Sequence, residues 1–432
     1  MINVRYVSRI LLGIGALLVV LTPSMTAGAA AAVKGAGADS ADPLIGVWQQ
    51  AVATPPISTA VDYSADGSGL GREEFVNATT DFAVTGTPFT ADETTRLAAA
   101  NKTFVYAPLA GGSLAFLYHL NNAQGQPIKG LQFSGATLAG IFTGTITTWD
   151  AAEILADNPG VSLPPKKITP TVRGQADSAT YTATSFFRFS APAVWKAFME
   201  DPQRGFPDEA RELYPFFAGA DSRTSSFAIA DVVGATEGGD TRITYVDNAW
   251  AQKALANGAD IAKVKNASGA FVAPTPDNAA KTIAAWKFDT TNLLTVDFGV
   301  TDAAAYPVAM VNYLVIPTSG TTPAVAGALG TFAKYAIETG QSAAPTLGDP
   351  ALPASVLARS TSVIAAALPT TTTTTTTTAA GSTDVSASDA TNGGADSGTN
   401  LAFTGSPDVG WLLGAGGALA GVGTWVRRRG SR

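Results

Sequence analysis

The sequence predicts an α/β fold with largely parallel sheets over residues 33–368. Two observations carry this prediction. Short apolar segments typical of buried strands alternate with segments of helical periodicity, and turn signals such as Asn158-Pro159-Gly160 separate them. The chain has 432 residues and is 46% hydrophobic, which suffices for a sizeable buried core.

The predicted elements follow in chain order. Helical patterns occupy residues 71–78, 191–200, 249–257, 278–286 and 324–339. Strand patterns occupy residues 104–109, 113–120 and 313–317, of which the last two are almost entirely apolar. No internal repeat is present, so we expect one globular unit in this part of the chain.

Composition excludes several classes of function. The chain has no Cys, which rules out disulfides, zinc fingers, iron–sulfur sites, Cys nucleophiles and a lipid-modified N-terminal Cys. Its single His, His119, lies in the apolar run FLYHL and is predicted to be structural. We therefore expect no metal, no cofactor and no catalytic triad. A net charge of −7 argues against a nucleic-acid partner.

The N-terminus has the pattern of a secretory signal peptide over residues 1–32. Arg5 and Arg9 precede an uncharged apolar run at residues 10–21, and small residues follow it. A retained N-terminal anchor is the alternative, but the apolar run is short for a membrane span.

The C-terminus has three parts. Residues 369–400 are rich in Thr, Ser, Gly and Ala and are predicted to be a disordered stalk. The final part, residues 401–432, begins with the motif Leu401-Ala402-Phe403-Thr404-Gly405. An uncharged segment at residues 409–426 and an Arg cluster follow the motif.

This order resembles a cell-wall sorting signal of Gram-positive bacteria, in the LAxTG variant common in actinobacteria. The resemblance implies a sortase that cleaves between Thr404 and Gly405 and an attachment to peptidoglycan. The alternative is a plain transmembrane tail. Both place the folded part outside the cell, on the wall or on the outer face of the membrane.

Two loops have the chemistry of an anion site. Gly67, Ser68 and Gly69 precede a helix, where backbone N–H groups can approach a ligand. The alternative is an ordinary turn in which Ser68 caps the helix. Residues 173–180 bring Arg, Asp, Ser and Thr together, and the alternative there is a solvated loop. Since the chain is acidic, any anion site must rely on such local donors.

Several segments in order resemble the phosphate-binding protein of Pst-type ABC importers, a family with the type II periplasmic-binding-protein fold. The resemblance runs over residues 35–357. Its segments are residues 35–48, 63–89, 137–164 (TLAGIFTGTITTWDAAEILADNPGVSLP), 245–246 and 306–317.

The resemblance implies two lobes, each a mixed and mostly parallel sheet flanked by helices, with a ligand cleft between them. One lobe would comprise residues 33–118 and 306–368, and the other residues 119–305. The implied ligand is a small oxyanion such as phosphate, and the implied partner is an ABC permease.

The resemblance also implies site residues. Ser68 matches the family's Ser in the first lobe, and Arg173 matches the Arg that pairs with phosphate oxygens. The family's DGSGT loop places its Ser and Thr on Ser178 and Thr180 when one residue is inserted. Without a gap, Asp177 and Ala179 stand there instead.

Three positions depart from the family. Asp39 and Ser40 replace Thr-Phe, and Gly86 replaces the Asp that accepts a proton from hydrogen phosphate. Two like charges ~4 Å apart at an effective dielectric of ~20 repel by ~4 kcal/mol, roughly a thousandfold in affinity. Unless Asp39 turns away or pairs with Arg173, we expect weak phosphate binding. The double substitution Asp39→Thr with Gly86→Asp should then create phosphate affinity.

Two functions remain open at this point. The first is a surface-anchored binding protein for a small oxyanion, not an enzyme. The second is a wall-displayed structural, adhesive or sensing protein that has lost phosphate binding. The missing N-terminal Cys weakens the importer function, because importer partners in Gram-positive cells are usually tethered by lipid there.

Overall fold

The structure is a computed structural model that describes residues 32–368. The predicted signal peptide up to residue 31, the stalk, the motif Leu401–Gly405 and the apolar tail lie outside the described residues. Within residues 32–368, none of the helices combines the length and the hydrophobicity that crossing a membrane requires.

Fourteen strands and thirteen α-helices are described. The strands are β1 (Val33–Gly37), β2 (Val61–Ser64), β3 (Phe82–Thr85), β4 (Phe104–Tyr118), β5 (Gln132–Phe133), β6 (Thr169–Arg173), β7 (Asp221–Arg223), β8 (Arg242–Asp247), β9 (Asp260–Ile261), β10 (Lys263–Lys265), β11 (Phe271–Val272), β12 (Lys287–Phe288), β13 (Leu294–Thr295) and β14 (Ala309–Pro317). The helices are α1 (Asp42–Ala53), α2 (Ser68–Val76), α3 (Ala91–Ala99), α4 (Gly135–Thr143), α5 (Ala152–Asp157), α6 (Ser178–Ser190), α7 (Pro192–Met199), α8 (Ser226–Gly234), α9 (Asn248–Lys253), α10 (Pro276–Ala285), α11 (Pro323–Ile337), α12 (Ala344–Leu347) and α13 (Ala354–Ala367).

Nine strands form one large mixed sheet in the order β2-β1-β3-β14-β4-β8-β6-β7, with β9 beside β4. The strands of each outer part are parallel, whereas β14 and β4 run antiparallel to their neighbours. The predicted α/β class and the type II periplasmic-binding-protein fold are therefore confirmed.

Strand β4 belongs to both halves of this sheet. Its residues 104–113 pair with β14, and its residues 114–118 pair with β8. We call the half containing β1, β2, β3 and β14 the first lobe, and the half containing β6, β7 and β8 the second lobe. The lobe boundaries given by residue number in the sequence analysis stay a prediction.

Each lobe buries apolar side chains on both faces of its sheet. In the first lobe, one core surrounds Trp48 and Phe332, and the opposite core contains Phe75 and Tyr106. In the second lobe, the larger core surrounds Trp195 and the smaller one lies against α8. Trp48, Trp149 and Trp195 are fully buried in these cores.

The two strands predicted at residues 104–109 and 113–120 are one continuous strand. Gly111 and Gly112 do not interrupt it. A Cβ atom at Gly111 would lie 2.7 Å from the carbonyl oxygen of Pro350, so this glycine permits close approach of another segment. The five predicted helices are present with shifted ends, and residues 249–257 divide into α9 and a short 3₁₀ turn at Leu255–Asn257.

Candidate functional site

The candidate site lies where the carboxyl ends of parallel strands meet. Asp39 follows β1, Gly86 follows β3, Arg173 ends β6 and Asp247 ends β8. This edge of an α/β sheet is where such folds place their ligands, because helix N-termini converge there. The fold thereby brings together the loops that the sequence singled out.

Ser68 is the first residue of α2 and is fully buried. Its hydroxyl donates to Ser178 Oγ at 3.0 Å and accepts the N–H of Gly86 at 3.3 Å. The alternative in which Ser68 caps its own helix is wrong. The N-cap of α2 is Gly67, with φ of 95°, so no side chain caps this helix. Instead, the N–H of Ser68 donates to Asp177 Oδ2 at 3.2 Å.

Arg173 is almost fully buried, and one nitrogen of its guanidinium donates hydrogen bonds to two side chains. Its Nη1 lies 2.5 Å from Asp39 Oδ2 and donates to Ser226 Oγ at 3.0 Å. Its Nε and Nη2 have no hydrogen-bond partner among the described residues. Of the two alternatives open from the sequence, Asp39 therefore pairs with Arg173 and does not turn away.

Asp39 also binds the start of α8, because its Oδ2 accepts the N–H of Ser226 at 2.9 Å. Its other oxygen, Oδ1, has no partner within residues 32–368. Burial and the nearby Asp177 raise the pKa of Asp39 to about 6, against the opposing effect of Arg173. The carboxyl group of Asp39 can therefore hold a proton at mildly acidic pH.

The loop at residues 173–180 is not the solvated loop of the alternative interpretation, because its last four residues are buried. Asp177 caps α6, with Oδ1 accepting the N–H of Ala179 at 2.8 Å. Ser178 contacts Ser68 as described above. The Oγ1 of Thr180 lies 3.1 Å from the hydroxyl of Tyr245.

Two glycines let the lobes approach each other. A Cβ atom at Gly86 would lie 2.5 Å from Ser178 Cβ, and one at Gly69 would lie 3.0 Å from Ala176 Cβ. This arrangement has no room for an Asp at position 86, so the proposed Gly86→Asp substitution would force the lobes apart. Ser40, the remaining departure, donates to Asn312 Oδ1 at 3.0 Å and does not contact Arg173.

Sequence reasoning missed two site residues. Ser226 gives Asp39 its N–H, and its hydroxyl donates to Asp247 Oδ2 at 2.8 Å. Burial, and then the charges of Asp39 and Asp177, raise the pKa of Asp247 well above its ordinary value. The pair Ser225-Ser226 precedes the apolar run FAIADVV and is a pattern that predicts the start of a helix. No local pattern, however, indicates that this helix start contacts Asp39.

The site thus contains three buried carboxyl groups and one guanidinium group. It presents unpartnered donors on Arg173 and an unpartnered acceptor on Asp39, so it suits a small polar group with both acceptors and a donor.

Among residues 32–368, no cluster of His, Cys, Asp or Glu side chains has the arrangement of a metal site. His119 lies outside the site, with Nδ1 at 3.2 Å from the carbonyl oxygen of Val233.

The sequences of two phosphate-binding proteins align with most of this chain. A phosphate-binding protein PstS of Xylella fastidiosa is 27% identical over 328 residues, which span 75% of this chain and 82% of that protein. The phosphate-binding protein PstS2 of Mycobacterium bovis is 26% identical over 312 residues, 70% of this chain and 78% of that protein.

Solved structures agree with the fold. A high-affinity periplasmic phosphate-binding protein (PfluDING) bound with phosphate matches with a TM-score of 0.58 at 20% identity, over 76% of this chain and 92% of that one. A phosphate-binding protein of Stenotrophomonas maltophilia matches with a TM-score of 0.57 at 18% identity, over the same shares. Residues 23–339 match the family profile described as the PBP superfamily domain. This chain therefore belongs to the PBP superfamily.

Proposed function

We propose that this chain is a secreted solute-binding protein that holds a small oxyanion of the phosphate class between its two lobes. The observation that carries the proposal is the buried guanidinium of Arg173, whose Nε and Nη2 have no partner among the described residues. A buried N–H donor without an acceptor destabilises the folded protein by about 1–3 kcal/mol. Because both unpartnered donors belong to the cationic side chain of Arg173, they favour an anionic ligand.

The surroundings of Arg173 support this ligand class. The hydroxyls of Ser68 and Ser178 lie 3.0 Å apart at the lobe interface, and a Cβ atom built at Gly67 would lie 3.5 Å from Arg173 Nη2. The unpartnered Oδ1 of Asp39 is an acceptor beside these donors. Hydrogen phosphate offers both acceptor oxygens and an O–H donor, whereas sulfate near neutral pH has no proton to donate to Asp39.

The names of the two relatives support the same ligand class, since both are called phosphate-binding proteins. Both names describe binding, and we propose a binding role for this chain rather than a catalytic one. An ABC permease, which the resemblance to Pst-type importers implies, is the partner that we propose for solute delivery.

Isothermal titration of the purified protein with phosphate and with sulfate tests the ligand. Phosphate should bind more tightly than sulfate, and Arg173→Gln should weaken phosphate binding by at least ~100-fold. The matched control is Arg188→Gln, because Arg188 is half exposed and pairs with Asp208 away from the site. Equal phosphate binding by Arg173→Gln and Arg188→Gln would rule out this site.

We further propose surface anchoring through the motif at Leu401–Gly405, which rests on the sequence alone. A sortase would join Thr404 to peptidoglycan. Thr404→Ala should move the protein from the wall fraction to the membrane or the medium, and an unchanged wall fraction would contradict anchoring. If phosphate does not bind, the second candidate is the wall-displayed structural, adhesive or sensing protein, favoured by this same anchor motif.

A further inference from the structure

One side chain links the two lobes at the candidate site in a way that an anionic solute would. Asp177 lies in the second lobe, immediately before α6, and is fully buried. Its Oδ1 accepts the N–H of Ala179 in its own helix at 2.8 Å. Its Oδ2 accepts the N–H of Ser68, the first residue of α2 in the first lobe, at 3.2 Å. One carboxylate thus joins the N-termini of two helices from opposite lobes.

The same carboxylate is close to Arg173. A Cβ atom built at Gly67 would lie 3.4 Å from Asp177 Oδ2 and 3.5 Å from Arg173 Nη2, so both groups face the same glycine. Two helix N-termini and a guanidinium form an electropositive position that an anion occupies favourably. In this chain a side chain already provides that anion.

Other contacts show that this arrangement is part of the lobe interface. The hydroxyls of Ser68 and Ser178 meet beside Asp177, and Asp39 of the first lobe binds Arg173 and the N–H of Ser226 in the second. Each lobe therefore inserts one carboxylate among the donors of the other. The first-lobe carboxylate follows β1, and the second-lobe carboxylate precedes α6.

We propose that Asp177 is a specificity-determining residue that acts as a tethered anion. Its carboxylate occupies the helix N-terminal donors that a doubly charged oxyanion needs, and it holds the lobes together without solute. As donors, the wild-type protein then offers solutes only Arg173 and the neighbouring hydroxyls, which favours a solute of low charge. The affinity part of this inference rests on the proposed function; the closure part does not.

Two substitutions at position 177 test the affinity part. Asp177→Asn keeps an oxygen that can cap α6 and removes the charge. Asp177→Gly gives the residue that the DGSGT loop has at this point when Ser178 is matched to its Ser. Both should bind phosphate at least about tenfold more tightly than wild type in isothermal titration. The control is Asp62→Asn, since Asp62 is exposed on β2.

Closure is tested separately by the distance between two spin labels. The chain has no native Cys, so Ala98→Cys on α3 and Ala156→Cys on α5 place one label on each lobe at exposed positions. Without solute, wild type should show one short distance. Asp177→Asn and Asp177→Gly should show a longer or broader distribution that phosphate shortens.

The outcomes separate the two proposals. Unchanged or weaker phosphate binding in both folded variants, checked by circular dichroism, would overturn the tethered-anion role, and so would an interlobe distance that position 177 does not affect. If no protein tested binds phosphate, the proposed function fails. A distance that lengthens in the variants would still support Asp177 as the group that holds the lobes together.

Discussion

Asp39, Asp177 and Asp247 lie around a single guanidinium, that of Arg173. All four side chains are buried, so their charges interact with little screening by water. Burial is the largest cause of the raised pKa values of Asp39 and Asp247, and the neighbouring carboxylates add to it. The protonation of this cluster therefore contributes to the stability of the closed site.

For Asp39, the sign of the pH dependence follows from the direction of its pKa shift. The folded protein holds the Asp39 proton up to a pKa of about 6, whereas the unfolded chain releases it near the ordinary value of 3.8. Stability should therefore fall as pH rises between these values, by roughly 3 kcal/mol relative to Asp39→Asn. Urea unfolding of both proteins from pH 4 to pH 7 measures the difference.

The control for this pH series is Asp62→Asn, which removes one exposed carboxylate outside the site. Arg173, Asp177 and Asp247 all face Asp39 and are present in every protein compared. A difference between Asp39→Asn and wild type that does not change with pH would contradict the assignment of the pH dependence to this carboxyl group.

Gly86 is a second residue whose role depends on close packing. The Cβ of Gly86→Ala would lie 2.5 Å from Ser178 Cβ and 2.7 Å from its Oγ. We expect a loss of about 1–3 kcal/mol in the free energy of unfolding, together with a longer interlobe distance. Gly46→Ala is the matched control, because a Cβ there meets nothing within 4 Å in α1 and should raise helix stability. Similar unfolding curves for the two variants would contradict the close-packing argument.

Helix α8 supplies the N–H group that binds Asp39. Its N-cap is Ser225, whose Oγ accepts the N–H of Ala228 at 3.1 Å and fixes the first turn. The next residue, Ser226, then presents its N–H and hydroxyl to two different carboxyl groups. The geometry of the site therefore depends on how this helix begins.

Removing the cap should loosen that first turn. Ser225→Ala should lower the free energy of unfolding by about 1 kcal/mol and speed amide hydrogen exchange at residues 226–228. Ser225→Asn should restore both, because Asn caps helices as well as Ser does. Equal exchange rates in Ser225→Ala and wild type would show that the cap does not order this turn.

The two lobes are also joined outside the candidate site. Arg72 of α2 is buried and donates from Nη1 and Nη2 to both carboxylate oxygens of Glu212, at 2.8 and 2.7 Å. The Nε of Arg72 donates to Glu93 Oε2, and the hydroxyl of Thr87 donates to Glu212 Oε1. Because Glu212 belongs to the segment between α7 and β7, this ion pair holds the second lobe against the first.

Breaking this pair should affect the whole molecule. Glu212→Gln should lower the free energy of unfolding by about 2–3 kcal/mol and lengthen the interlobe distance, because Arg72 keeps a buried charge with one partner fewer. Glu73→Gln is the control, since its pair with Arg96 is more than a third exposed and should be worth less than about 1 kcal/mol. Equal effects of the two substitutions would contradict a role for Glu212 in joining the lobes.

The sequence by itself determined the α/β class, the approximate places of five helices and the absence of Cys side chains. Periodicity and composition suffice for these, because they depend on neighbours along the chain. The sequence also singled out Ser68, Arg173 and Ser178, because glycine-rich loops and an Arg beside hydroxyl residues are local patterns.

Only the tertiary structure decided which of these groups meet. Arg173 pairs with Asp39, 134 residues away, and Asp177 accepts the N–H of Ser68, 109 residues away. Gly111 of strand β4 makes room for the backbone of the distant Pro350, and no local sequence pattern indicates that contact. The sequence therefore could not predict which carboxyl groups bind the helix N-termini, since long-range packing brings those carboxyl groups and N–H donors together.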